Sequence, residues 1–337
     1  MKRDLFWDSL KFFLIFLVVY GHMIETYVYN SSFNQAMYNF IYLFHMPFFI
    51  FISGRFSQIN DKVKYRKGII RLFETYLVFQ IIKCMKPFLG GNTLIFGFHM
   101  LYPKGTLWYL ACLIIYRLFI YNIPSTFAKE RSLLILYSSF FIGLLWGYLP
   151  FSISHKIVAF FPYFLMGYYS KDINIMYFYK KIPIISSIMG LFCIFLIIYY
   201  YLNYNIAFIE YCDLSYMNEI TPYSPHYLCL ARFVLYLSAI ITSIFIMRVF
   251  HKKKFFPKLG SKTLFLYLYH TFFVLALRSL IAKEYIIQNE YLLFLYAVII
   301  IVFLVFMSHF RFLNILLNPV SYYLEEKGPL FYKKTSS

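Results

Sequence analysis

The sequence predicts an all-α integral membrane protein of about ten transmembrane helices, with both termini in the cytoplasm. Three observations predict it. Of 337 residues, 61% are hydrophobic and only 14% are charged, against about 25% charged in a soluble domain. Apolar runs recur along the whole chain, each long enough for a membrane helix of about 20 residues. The basic residues cluster between those runs, which is how Lys and Arg mark the cytoplasmic side of a membrane.

Taken in order, the apolar runs place helices near 11–29, 35–54, 72–90, 105–121, 132–149, 156–170, 183–202, 227–248, 263–282 and 291–309. The first run starts at about Phe12, is long enough to span and has no small-residue cleavage site. It reads as a retained helix rather than a cleaved signal peptide. With the N-terminus inside, the inner segments hold Lys2 and Arg3, then Arg55, Lys62, Lys64, Arg66, Lys67 and Arg71. They also hold Lys129, Arg131, Lys171, Lys180, Lys181, the run Arg248, Lys252, Lys253, Lys254, Lys258 and Lys262, and the tail Lys327, Lys333 and Lys334. The outer loops hold only Lys86, Lys104, Lys156 and Lys283. The longest outer loop, about 203–226, carries Glu210, Asp213 and Glu219 and no Lys or Arg.

That alternation accounts for the net charge of +18 as topology, and argues against nucleic acid as a partner. No Pro/Gly/Ser linker and no internal repeat interrupts the pattern, so we expect one transmembrane domain over 1–315 and a short cytoplasmic tail over 316–337. The five cysteines, Cys84, Cys112, Cys193, Cys212 and Cys229, show no metal-ligand spacing and lie mostly in apolar runs. They read as packing residues, and no metal is expected. Cys212 and Cys229 flank the long outer loop, where a pair stays an open alternative. The abundance of Phe, Tyr, Ile, Lys and Asn suits an AT-rich genome and a bacterial plasma membrane.

The first helix carries a polar stripe: Asp8, Lys11, His22 and Glu25. At roughly 100° per residue, Lys11 lies about 20° from His22 in projection, and Asp8 about 40° to the other side. Glu25 follows His22 by three residues, so all four share a face. His22 stands about 16 Å above Lys11, at a depth where an ionisable group normally faces a cavity or bundle interior. A lone His22 has a plain alternative, an interhelical hydrogen bond. Asp8 and Lys11 have another, an interfacial ion pair. The aligned set is harder to explain that way.

The second helix reads Phe44-His45-Met46-Pro47-Phe48-Phe49-Ile50-Phe51-Ile52-Ser53-Gly54. His22 and His45 are nearly symmetric about the turn near 30–34 and are expected at similar depth. Pro47 is expected to kink the helix, and Ser53 falls at its cytoplasmic end. For His45, a structural hydrogen bond to a neighbouring helix and a chemical role are equal alternatives. The segment 55–71 sets six basic residues against Asp61. Positive-inside topology, anionic lipid and capture of a phosphate-rich ligand all fit it. Trp108-Tyr109 suits an aromatic belt. Arg232 and His270 are intramembrane polar groups. His99, His155, His226, His251 and His309 lie at ends or in loops and read as structural.

The opening Arg3-Asp4…Asp8-Ser9-Leu10-Lys11…Val18-Val19-Tyr20-Gly21-His22 resembles the membrane-bound acyltransferase-3 family. So do the Phe44–Gly54 segment, Leu107-Trp108-Tyr109-Leu110, Phe164-Leu165-Met166-Gly167-Tyr168, and Leu259-Gly260-Ser261 through Tyr269-His270. The flavour is that of fucose and surface-polysaccharide O-acetyltransferases. The resemblance implies ten core helices, acetyl-CoA as cytoplasmic acyl donor, and a glycan or lipid-linked sugar hydroxyl as acceptor. It maps an Arg-x10-His motif onto Lys11 and His22, with Lys in place of Arg. It maps an inner-loop Arg-x-x-Arg pair onto Gly68 and Arg71, with Lys67 or Arg66 as substitute for the first position. The implied roles are His22 as general base with His45 also catalytic, Asp8 and Lys11 organising the inner half of the stripe and the donor channel, and Arg71, Arg66, Lys67 and Ser53 toward the CoA donor. The expected reaction is O-acetyl transfer to a carbohydrate hydroxyl. A lipid-linked-sugar flippase and an acyltransferase for another acyl group, such as succinyl, are the alternatives.

Overall fold

The computed structural model describes residues 4–89, 102–145, 154–171, 173, 175–202, 225–251, 256–281, 286 and 289–323. Among these the regular structure is helical throughout. In chain order, α1 is Leu5–Ile24, continued by a 3-10 turn Glu25–Asn30, and α2 is Ser32–Arg55. α3 is Lys62–Leu89; a 3-10 turn Gly105–Leu107 opens α4, Trp108–Asn122. α5 is Ser125–Glu130, α6 Ser132–Leu145, α7 Ser154–Tyr169, α8 Ile175–Lys180 and α9 Ile184–Ile197, which ends in a π turn Ile198–Leu202. α10 is Pro225–Phe250; a 3-10 turn Pro257–Lys262 opens α11, Thr263–Leu280; α12 is Leu292–Met307 and α13 Arg311–Ile315.

Six described stretches are long and apolar enough to cross a membrane: Leu5–Asn30, Ser32–Arg55, Gly105–Asn122, Ile184–Tyr201, Cys229–Phe250 and Pro257–Leu280. α6 and α12 are apolar but shorter. The chain is a multi-pass membrane protein. Most helix bounds lie within a few residues of those expected. Two starts are earlier: α1 begins at Leu5, six residues before the predicted 11, and α3 at Lys62, ten residues before the predicted 72. The basic run therefore rides on helix rather than loop. Asp61 is the physical reason. Its Oδ1 accepts from the backbone N–H of Val63 at 2.9 Å and of Lys64 at 3.2 Å, an N-cap that answers two of the orphan donors of a helix start. Cys212, the acids Glu210, Asp213 and Glu219, His99, Lys252, Lys253, Lys254, Lys283 and the tail from 324 lie outside the described residues.

The chain divides into two compact units, Met1–Gln58 with Ser125–Phe303, and Ile59–Pro124 with Leu304–Ser337. In the first, α1 packs against α2, α11 and the turn before α11, and α2 lies along α7. Between apolar helices in lipid the hydrophobic effect gives little drive, and small residues that allow close backbone approach take its place. Gly54 and Gly167 do this reciprocally. A Cβ on Gly54 would collide with the Phe164 carbonyl, and one on Gly167 with the Phe51 carbonyl. Polar groups close the same seam: Arg55 donates to the Ser170 carbonyl (2.5 Å) and hydroxyl (3.1 Å), and Gln58 to the Tyr168 carbonyl (2.7 Å). Across the unit, Tyr236 donates to the Ala159 carbonyl at 2.8 Å and Arg232 to the Gly143 carbonyl. The intramembrane Arg232 thus meets helix backbone.

In the second unit, α3 packs on α4. Tyr65 stacks on Tyr121, and Gln80 and Lys83 hold the approach to α4 through Tyr102, Lys104 and Thr106. The Glu74 carboxylate accepts from the backbone N–H groups of Val320 and Ser321 and from the Ser321 hydroxyl.

Gly167→Ala should destabilise the protein by about 1–3 kcal/mol, the usual cost of overpacking, read as a lowered Tm in detergent. Gly68→Ala is the control. Its Cβ meets only the Arg117 guanidinium at an ordinary 3.9 Å, and the exchange should be neutral or stabilising by up to about 1 kcal/mol.

Candidate functional site

The stripe read from the sequence lies along one helix, and its two ends are separately paired. At the lower end Lys11 reaches Asp8 Oδ1 at 3.4 Å, and its ammonium lies 4.1 Å from the centre of the Phe56 ring. The Asp8 side chain is 9% exposed and that of Lys11 22%, so this pair is drawn into protein. Trp7 and Arg55 flank it, with the guanidinium 5.0 Å from the indole centre. Gly260, in the turn before α11, lies against the Asp8 backbone so closely that a Cβ would collide with it. That contact explains why a glycine stands in the Leu259-Gly260-Ser261 motif.

At the upper end His22 Nδ1 meets Glu25 Oε2 at 3.2 Å. A carboxylate only accepts, so the bonded proton is on Nδ1; in the neutral ring this leaves the lone pair on Nε2. Glu25 sits where α1 tightens into the 3-10 turn. The His22 side chain is 24% exposed, close to that of Lys11, and that of Glu25 46%, so the carboxylate at this end is open where Asp8 is enclosed. α11 runs parallel to α1: Gly260 is at Asp8, His270 at His22 and Arg278 at Glu25. The His270 ring stacks on that of His22 with centres 5.3 Å apart, and His270 Nδ1 donates to the Tyr267 carbonyl at 2.6 Å. Arg278 Nη2 donates to the His22 carbonyl and lies 3.5 Å from Glu25 Oε2.

α2 forms the third wall. Tyr42 meets the His22 ring edge-on at 6.4 Å, stacks on Tyr38 at 3.9 Å, and meets His45 at 4.8 Å. Tyr42 thus stands between the two histidines expected at similar depth. His45 is 4% exposed and its Nδ1 donates to the Ile41 carbonyl, one turn back, at 2.7 Å. Its hydrogen bond is within its own helix, where the sequence suggested a neighbouring one. Pro47 is accommodated inside a continuous α2.

Of the four residues expected at the donor, Ser53 belongs to the first unit and Arg66, Lys67 and Arg71 to the second. Ser53 donates to the Phe49 carbonyl at 2.9 Å, the usual helical back-bond. Arg66 and Lys67 are exposed and Arg71 half-buried on the opening turns of α3, in the second unit. There Arg117 of α4 brings its guanidinium over Gly68, into the space a side chain at that position would use. Among the described residues no group of His, Cys, Asp and Glu has the arrangement of a metal centre. Arg278, Tyr42 and Arg117 went unremarked in the sequence, and His270 was given no role. The available signal was a second intramembrane cation, Arg278, eight residues and so about 80° from His270 on one helix.

The chain matches the family model described as an acyltransferase domain, the acyltransferase-3 family, over residues 4–311, and it belongs to that family. It is similar to the nodulation protein NolL of Sinorhizobium fredii, with 42% identity over 56 residues, 16% of this chain and 15% of that one. It is also similar to NolL of Mesorhizobium japonicum, with 38% identity over 60 residues, 17% and 16% of the two chains. The matched segments thus span about one-sixth of these relatives. No solved structure matches. From the lower-end geometry, Gly260→Ala should push the turn off Asp8 and destabilise the protein by about 1–3 kcal/mol, measured as a lowered Tm.

Proposed function

We propose that this family member transfers an acetyl group from acetyl-CoA to a hydroxyl of a cell-surface polysaccharide or of its lipid-linked precursor. It does so as a multi-pass enzyme of the bacterial plasma membrane, with ten spans and both termini in the cytoplasm. The observation that carries this reading is the imidazole–carboxylate pair of His22 and Glu25, its carboxylate open, on a helix face whose other end pairs Lys11 with the enclosed Asp8. A sugar hydroxyl is a poor nucleophile at neutral pH and needs a general base, for which His is the usual choice. His22 with its proton on Nδ1 presents Nε2 to the acceptor.

In the step we envisage, Nε2 takes the proton of the sugar hydroxyl as the oxygen attacks the acetyl carbonyl carbon. The carbon–sulfur bond then breaks, and the imidazolium returns the proton to the departing thiolate. The products are the O-acetyl sugar and CoA. Asp8 and Lys11 organise the donor's approach from below. Lys keeps the charge of the Arg usual in the family without its bidentate fork. His45, held by Ile41, shapes the wall behind Tyr42.

The donor is recognised by its phosphates. Arg66, Lys67 and Arg71 supply the charge, and Arg117 supplies a guanidinium at Gly68, where the family's first Arg is missing. The cationic run with its second-helix arginine fits a polyphosphorylated donor, because guanidinium groups bind phosphate bidentately.

The test compares the mass of the surface glycan from cells carrying wild type, His22→Ala and a deletion, at equal protein level. His22→Ala should lose the acetyl increment, as removal of a general base costs about 10²–10⁴-fold in rate. Normal acetylation in that variant would sink the role of His22. A glycan that is missing altogether would favour the flippase, and an increment of another mass another acyl group. Arg117→Ala and Arg71→Ala should each raise KM for acetyl-CoA about tenfold or more, the loss of one charge-assisted hydrogen bond, with kcat changed less.

A further inference from the structure

We infer that Arg278 is the positioning residue of this site: it holds Glu25 so that Glu25 fixes the tautomer and orientation of His22. The inference rests on the reading of His22 as general base. It starts from one shared atom. Glu25 Oε2 is the oxygen that His22 Nδ1 reaches at 3.2 Å and also the one nearest Arg278 Nη2 at 3.5 Å. The same guanidinium nitrogen donates to the His22 carbonyl. One cation on α11 therefore grips the backbone of the histidine and the carboxylate that orients its ring.

The grip matters because of where Glu25 is. Its side chain is 46% exposed, and an exposed i,i+3 pair on a helix surface holds only weakly. Left to itself, such a carboxylate would exchange the imidazole for water much of the time. A free imidazole can carry its proton on either nitrogen, and with the proton on Nε2 it cannot take one from the acceptor. A second donor from another helix removes that freedom. It also places a cation in the last turn of α1, at the negative end of the helix dipole. Arg278 is anchored for the task, because the start of its helix is pressed on Asp8 through Gly260.

The other groups around His22 do not duplicate this. His270 offers the face of its ring, its Nδ1 proton being committed to Tyr267. Tyr42 approaches by an edge, backed by Tyr38 and His45.

The experiment uses the full chain in lipid nanodiscs with 15N-labelled histidine, and the His22→Ala spectrum to assign the His22 signals. Transfer is measured with acetyl-CoA as donor and membrane vesicles of the deletion strain, bearing unmodified glycan, as acceptor. Wild type should show the Nδ1–H tautomer. Arg278→Ala should give a tautomer mixture and lower kcat by about a hundredfold, the scale of a small misplacement of a catalytic group, with KM for acetyl-CoA unchanged within about twofold. Glu25→Ala should do the same, and the double variant should be no worse than either single one. Arg278→Lys, which keeps a charge and a donor, should retain the tautomer and most of kcat; it and Glu25→Ala carry the test if Arg278→Ala does not fold. An unchanged tautomer in Arg278→Ala or Glu25→Ala, or multiplicative losses in the double variant, would overturn the inference. An active His22→Ala would instead overturn the reading beneath it, and the two failures are thus distinct.

Discussion

Every ionisable group on α1 has to be answered inside an apolar assembly, and that single demand organises the helices around it. A charge left without a partner in such surroundings costs several kcal/mol. α1 answers part of the demand by itself, pairing Asp8 with Lys11 and His22 with Glu25 at a spacing of three. The rest comes from α11, whose Arg278 reaches the upper end, and from aromatic rings at both ends: Phe56 under Lys11, and Tyr42 and His270 around His22. The two pairs differ in exposure rather than in type. The carboxylate of the lower one is enclosed, and that of the upper one is open.

The helices come close enough to do this because glycines are placed where backbones cross. Gly54 and Gly167 let α2 and α7 touch main chain to main chain, and Gly260 does the same for α1 and the turn that starts α11. In each case a single methyl group would meet a carbonyl or its neighbours. These close approaches substitute for the hydrophobic drive that lipid removes. They also let Arg55, Gln58 and Tyr236 reach backbone carbonyls of neighbouring helices over short distances.

What the sequence revealed and what it hid follow one physical line. The stripe was legible because it depends only on the turn of one helix; Asp8 with Lys11 and His22 with Glu25 needed no knowledge of neighbours. The glycine motifs were legible as patterns, but their reason lies in a partner helix more than a hundred residues away. Arg278 was hidden for the same cause: nothing local distinguishes it from a cation near the end of a span. The start of α3 was missed differently. Its charged residues resembled a loop, although Asp61 carried a readable capping signal. Arg117 was out of reach altogether, because its relation to Gly68 exists only once α3 and α4 are packed.

The parallel course of α1 and α11 has a consequence of a different kind. The two helices are fastened at both ends, through Gly260 on Asp8 and Arg278 on Glu25, and between the fastenings both climb at about 1.5 Å per residue. α11 therefore acts as a gauge rod. Its apolar residues between the fastenings are interchangeable in identity but not in number, since adding or deleting one would turn Arg278 by about 100° and shift its height against Glu25. For this stretch of the chain, the length is under a stricter constraint than the letters.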